Sequence, residues 1–311
     1  MSKTKGELWL IIISFFLIYI VWGSTYLANA WGIQEVPPFI FAGARFVGAG
    51  VLLFIVARFF RPIEFTKRQV LNTLFAGFLL FAVGNGLVVW SLKYIDSGLS
   101  ALIVAFEPLL VVLLLWRLKG VKPDGYGWLG LILGMAGMVL LVGQPDFATS
   151  ADWVKGALAI LVAILAWAWV SVWIPSADLP KSIIQSASMQ MFFGGILLLL
   201  IGAVNGDFHR IEFLELSNRT IYSFIYLLIF GSMLAFSAFN YLLKTVSPMQ
   251  VATCTFVNPV VAVILGVWLN QEHFSLQSIF AGGMMLTGVV FINGHAKAIR
   301  NFLKKPMRNS N

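Results

Sequence analysis

Ten apolar stretches of roughly membrane-crossing length follow one another along this sequence, separated by short punctuations of charge, glycine and proline. They run over residues 8–30, 39–57, 69–92, 97–116, 126–143, 156–174, 183–204, 220–242, 248–269 and 275–294. Hydrocarbon offers a bare peptide group no partner, so each stretch must close its own backbone hydrogen bonds. That predicts an all-α polytopic membrane protein of ten transmembrane helices. Composition agrees, with 59% hydrophobic and 11% charged residues and a mean hydropathy of +0.90, against about 25% charged residues in a soluble domain. A water-covered surface cannot be assembled from so few charges. The single cysteine, Cys254, excludes an intrachain disulfide.

The first stretch follows Lys3 and Lys5, and Ala28-Asn29-Ala30 has the look of a signal-peptidase site. A signal core is only about 7–15 residues long. The run from Leu8 exceeds that and is read as the first transmembrane helix. With ten crossings both termini share a side. Of the 21 Lys and Arg, sixteen fall on that side, Lys93, Lys155, Arg210 and Arg219 fall on the other, and Arg45 lies within a span. The bias predicts cytoplasmic termini. It also explains the net charge of +8 as a topology signal spread over many loops, so no nucleic-acid partner is expected. The basic tail from Lys297 to Arg308 is either a solvated end or a contact with anionic lipid.

The chain repeats itself. A gapless shift of 151 residues aligns Leu10 with Leu161, Trp22 with Trp173, Phe41 with Phe192, Gly43 with Gly194, Leu92 with Leu243 and Lys93 with Lys244. Further along it aligns Ala101 with Ala252, Pro108 with Pro259, Gly137 with Gly288 and Gly143 with Gly294. Matched Leu and Gly are cheap in apolar sequence; matched Trp, Lys and Pro at one shift are not. The expected halves are 1–151 and 152–311, five spans each, within one integrated membrane domain. Because five is odd, the second half must enter the membrane from the opposite side. Inverted repeats of this kind build secondary transporters, with substrate bound between the halves near the midplane.

Few residues can carry chemistry there. Pro108 and Pro259 sit at equivalent places in spans four and nine, where each removes a helical hydrogen bond. Such paired interruptions point to a transport site, or else to packing kinks. Arg45 and Glu107 are the charged residues inside the spans. A charge at a span centre costs about 2.5–3.5 kcal/mol on insertion scales, so both should face the bundle interior. At 1.5 Å per residue Arg45 lies about 10 Å and Glu107 about 15 Å from the outer ends of their spans. Glu107 has three candidate roles: binding a substrate amine, carrying a proton, or pairing with Arg45. An Arg45–Glu107 pair that opens would clamp the carboxylate and amine of a zwitterion. Asn85 and Asn258 offer uncharged hydrogen bonds to the same place. Tyr19, Trp22, Thr25, Tyr26 and Asn29 follow helical spacing along one face of span one, either lining a path, with Trp22 and Tyr26 as its wall, or packing the core. Gly130, Gly134, Gly282, Gly283 and Gly288 mark close helix contact, within the chain or between copies.

Enzyme chemistry finds no support. His209, His273 and His295 lie in loops or at span ends, no two carboxylates share the bilayer, and no phosphate-binding loop or metal cluster is evident. No cofactor is expected.

The residues Ile20-Val21-Trp22-Gly23-Ser24-Thr25-Tyr26, Val36-Pro37-Pro38 with Arg45-Phe46, and Ala82-Val83-Gly84-Asn85-Gly86 resemble motifs of the drug/metabolite transporter superfamily. Val246-Ser247-Pro248 and Val257-Asn258-Pro259-Val260-Val261-Ala262-Val263 extend the likeness. It spans essentially the whole chain and is strongest to the ten-helix EamA-type members, among them the YedA-like exporters. The resemblance implies spans 1–4 and 6–9 around a central cavity, with spans 5 and 10 outside, and export of small metabolites, amino acids or drug-like compounds across the bacterial inner membrane without ATP. Many members carry a neutral residue before the span-four proline, where this chain has Glu107. The expected partners are the lipid bilayer and a small-molecule substrate, with proton coupling through Glu107; the oligomeric state is not set by the sequence. An uncoupled facilitator or importer shares this architecture, and a non-transporting membrane scaffold or sensor is the alternative of another class.

Overall fold

A computed structural model describes residues 5–60, 65–142, 150–212, 215–246, 251 and 254–294. The basic tail and part of the Val246-Ser247-Pro248 motif lie outside the described residues. Ten apolar helices are present among those described. They are α1 (Lys5–Gly32), α2 (Pro38–Phe60), α3 (Lys67–Ser91), α4 (Ser97–Lys119), α5 (Gly125–Val142), α6 (Ala151–Trp173), α7 (Ile183–Val204), α8 (beginning at Asn218 and ending at Thr245), α9 (Cys254–Asn270) and α10 (Leu276–Gly294). Seven are long and apolar enough to cross a membrane by themselves; stretches of α5, α9 and α10 form the shorter apolar set.

Polar residues at the ends fix where the helices begin. Thr66 caps α3 in a reciprocal arrangement with Gln69, and Ser217, one repeat later, caps α8. Ser150 and Ser182 do the same for α6 and α7. α4 ends at Gly120, whose φ of 69° reverses the chain.

Two pairs of equivalent helices, α5 with α10 and α2 with α7, pack on each other head to tail. In α5 and α10, a Cβ at Gly137 would lie 2.8 Å from the Ala281 carbonyl oxygen and 3.0 Å from the Met285 nitrogen. A Cβ at Gly288 would lie 2.6 Å from the Gly130 oxygen and 2.8 Å from the Gly134 nitrogen. Each residue in the first set is 151 positions from its counterpart in the second. Contacts that advance along one helix while retreating along the other mean antiparallel partners. The same holds for α2 and α7, where Gly43 faces Gly195 and Gly50 faces Ser188. Matching spans run in opposite directions, so the repeats are inverted. The glycine spacings read as close contact thus serve contact within one chain, except at Gly283, which has nothing within 4 Å of a Cβ.

α5 and α10 pack chiefly on each other and reach the rest through α4. The others form the body: α9 lies against α1 and α4, while α6 lies against α3 and α4. Outward-facing side chains such as Ile132, Val139, Phe280 and Val290 are exposed, the surface a bilayer would cover.

Three helices of the body are not regular. Leu17–Val21 in α1, Phe78–Asn85 in α3 and Leu227–Leu234 in α8 are π-helical. The segments in α3 and α8 occupy nearly equivalent places in the two halves. Widened turns of this kind leave carbonyls poorly served by their own helix and gather at functional sites.

Candidate functional site

Each widened turn is met by a side chain expected to line the site. Asn258 in α9, with its carboxamide nitrogen turned as its neighbours demand, donates to the carbonyls of Ile18 (2.8 Å) and Tyr19 (3.0 Å) in the π-turn of α1. Asn85 donates to the Leu80 carbonyl (3.0 Å) across its own π-turn. Trp22 donates from its indole to the Gly231 carbonyl (3.1 Å) in the π-turn of α8 and packs on Phe239, with ring centroids 5.2 Å apart. In the opposite half Trp167 of α6 lies against Gly84 in the π-turn of α3. A tryptophan from the first helix of each half therefore leans on a glycine in the third helix of the other. An unmet buried carbonyl costs about 1–3 kcal/mol, so these side chains stabilise the irregular turns as well as facing the interior.

The aromatic–polar stripe on α1 is divided among neighbours. The π-turn at Leu17–Val21 breaks the helical spacing between Tyr19 and Trp22. Trp22 then reaches α8, Tyr26 lies within electrostatic reach of Glu107 and Cys254, and Asn29 reaches α2. Ser24 adds a hydrogen bond to the Tyr226 hydroxyl at 2.6 Å.

Arg45 is buried, at 4% exposure. Its Nη1 donates to Asn29 Oδ1 at 3.0 Å, and Asn29 is itself held by donating to the Thr25 carbonyl at 2.7 Å. The guanidinium also stands 4.2 Å from the centroid of the Phe46 ring. Its Nε has no partner. The expected option of an Arg45–Glu107 ion pair is not realised in this conformation; the ion pairs seen among the described residues lie elsewhere, at the exposed Lys155–Asp152 and between exposed Arg210 and buried Asp207. Glu107 is half-buried and lies within electrostatic reach of Tyr26 of α1. The structure thus gathers Glu107 and Tyr26, holds Arg45 with Asn29, and keeps the two charges apart.

The prolines part company as well. α4 breaks after Val104 and resumes at Glu107, with Pro108 in the first turn of the new segment, where its missing N–H costs nothing. Pro259 lies inside the continuous helix Cys254–Asn270. Pro259 is thus mid-helix as expected, whereas in the first half the helix is interrupted just before Pro108, placing Glu107 at the start of a helix, where a carboxylate complements the dipole.

Two acids on the face away from the termini escaped notice in the sequence, since loop carboxylates are ordinarily solvated. Glu35 accepts the Ser217 N–H at 2.8 Å, and hydrogen bonding to Ser217 holds its carboxyl below the usual range. Glu272, between α9 and α10, is buried.

The EamA-like transporter family matches residues 5–143 and again 154–294. This chain belongs to the EamA-like transporter family. Its relatives include a protein of Escherichia coli K12 called an uncharacterized inner membrane transporter, YedA, 35% identical over 283 residues, covering 89% of this chain and 88% of the relative. The uncharacterized transporter YoaV of Bacillus subtilis strain 168 is 23% identical over 278 residues, covering 89% and 94%. A protein of known crystal structure shares the fold, with a TM-score of 0.62 and 20% identity, covering 94% of this chain and 98% of its own. The two matched family segments fall one on each half of the inverted pair. The chain is a multi-pass membrane protein of a transporter family.

Proposed function

We propose that this EamA-like protein is a secondary active transporter that exports small amphipathic metabolites, amino acids or drug-like compounds, across the plasma membrane by alternating access. The observation that carries the reading is Arg45. A guanidinium at 4% exposure, bonded to a neutral amide and with Nε unmatched, is a cation set inside a membrane protein without a countercharge among the described residues. Such an arrangement is costly for the protein alone and becomes favourable when an anionic group arrives. Glu107, held apart near Tyr26, supplies the opposite charge. A solute carrying both a carboxylate and an amine satisfies the two together, with Trp22, Asn85 and Asn258 shaping the wall. The inverted halves provide two openings of similar energy.

The excess of Lys and Arg on the terminal side supports cytoplasmic termini, and the name of the E. coli relative supports an inner-membrane address. Glu107 doubles as the proton carrier that ties export to the proton gradient. Glu107→Gln is expected to abolish flux driven by a pH gradient, while solute exchange in proteoliposomes persists at weakened affinity because Arg45 still holds the solute carboxylate. Unchanged gradient-driven flux removes the proton role. The substrate class is tested by screening amino acids for thermal stabilisation of the purified protein, followed by counterflow; a folded protein that responds to none of them overturns it.

A further inference from the structure

Glu272 lies outside the apolar stretches yet is only 7% exposed. Its Oε1 accepts from the Ser97 backbone N–H (3.0 Å), the Ser97 hydroxyl (2.6 Å) and Asn270 Nδ2 (3.2 Å), and its Oε2 accepts from the Gly98 N–H (3.0 Å). Ser97 and Gly98 open α4. A carboxylate from the second half therefore caps a helix of the first, meeting its unpaired N–H groups and its dipole at once. Asn270 extends the contact by accepting from the Trp31 indole at the end of α1 (3.1 Å). One carboxylate thus ties α1, α4 and the α9–α10 loop on the face away from the termini.

The turn that presents Glu272 has a twin. After α4, Gly120 has φ 69° and the Val121 N–H donates to the Leu115 carbonyl at 3.3 Å. After α9, Gln271 has φ 54° and the Glu272 N–H donates to the Gly266 carbonyl at 3.0 Å. The three corresponding positions are each 151 residues apart. The halves depart from one another at all three. Valine at 121 has no acceptor to offer. Gln271 adopts the left-handed backbone that its twin fills with glycine, a conformation costly for a residue with a Cβ. Gly266 replaces Leu115, and any Cβ there would collide with the Glu272 carboxylate. Two of the departures, the acid at 272 and the glycine at 266, supply and house that carboxylate.

We propose that Glu272 is the latch of the gate on the face away from the termini, holding that side of the carrier shut across the two repeats and releasing α4 when it opens. The proposal rests on the alternating-access reading above. Because Val121 stands at the twin position, the latch is one-sided, and the carrier rests with this side closed.

The test uses the full chain with Cys254→Ser and paired spin labels in liposomes. One pair is placed at the exposed Lys93 and His273 beside the latch, the other at the exposed Lys119 and Lys181 on the terminal side. Glu272→Gln keeps the volume but removes the charge and an acceptor. It is expected to add a longer-distance population at the first pair and a shorter one at the second. Ser97→Ala, which removes one donor, should shift both the same way by less, and it serves if Glu272→Gln does not fold. Unchanged distances at Lys93 and His273 overturn the latch. A change confined to that pair also overturns it, since the carboxylate then only seats its own loop. Absence of counterflow in the parent chain instead defeats the transporter reading, whatever the labels report.

Discussion

Arg45→Met is expected to abolish substrate-dependent thermal stabilisation and counterflow while leaving the Tm of the purified protein at or above that of the parent. The two effects have separate causes. Taking a guanidinium out of water costs several kcal/mol, and a single bond to Asn29 Oδ1 with a Phe46 ring face does not offset it. Methionine fills the space without that cost, and exchanges of this kind are neutral or stabilising by about 1–4 kcal/mol. Binding moves the other way. Each charge-assisted hydrogen bond to a substrate anion contributes about 1.5–3 kcal/mol, so losing one weakens affinity about tenfold to a hundredfold. Scanning fluorimetry with and without solute reads both quantities on one sample. Parent-like counterflow in the variant would remove Arg45 from the site, and a collapsed Tm would make it a structural cation.

Gly137→Ala and Gly288→Ala are expected to lower the Tm by similar amounts, several degrees each. At both positions a Cβ would press on backbone of the facing helix, 2.8 Å from the Ala281 oxygen and 2.6 Å from the Gly130 oxygen. Backbone cannot step aside as a side-chain tip can, so α5 and α10 must separate, and overpacking of this kind costs about 1–3 kcal/mol. Gly283→Ala is the control, since nothing lies within 4 Å of a Cβ there. Equal losses follow from the twofold relation between the halves. A large loss at one position with none at the other would contradict it.

Much of the fold was legible because lipid imposes one rule on every span: apolar surface outside and backbone bonds inside. Span ends followed the charges and the capping Thr and Ser residues. The repeat was legible in Trp22/Trp173, Pro108/Pro259 and Gly137/Gly288 because a fixed offset survives in the letters themselves. The site was legible only as a set of residue types. Which charge meets which neighbour depends on helix rotation, and rotation depends on the π-turns, which leave no local mark: Phe78–Asn85 reads as ordinary apolar helix. Hence Asn29 emerged as the partner of Arg45, and Asn258 as the partner of the α1 backbone. Glu272 was hidden for a different reason. A lone acid in a loop has no periodicity, and only the comparison of its turn with the one at Gly120–Val121 reveals what it replaces.

The widened turns in α1, α3 and α8 also change what a length mutation does. Removing one residue within Phe78–Asn85 lets the helix relax to regular winding, so the segment keeps its hydrogen bonds and its span of the bilayer. Everything beyond the deletion keeps its facing, because the widened turn had already absorbed one extra residue; the same deletion in a regular stretch swings the rest of the helix by about 100° about its axis. In a bundle whose contacts depend on which way Asn85 and Trp22 point, these three places can lose one residue while the interior wall keeps its aim, so chain length can vary there without re-threading the helices.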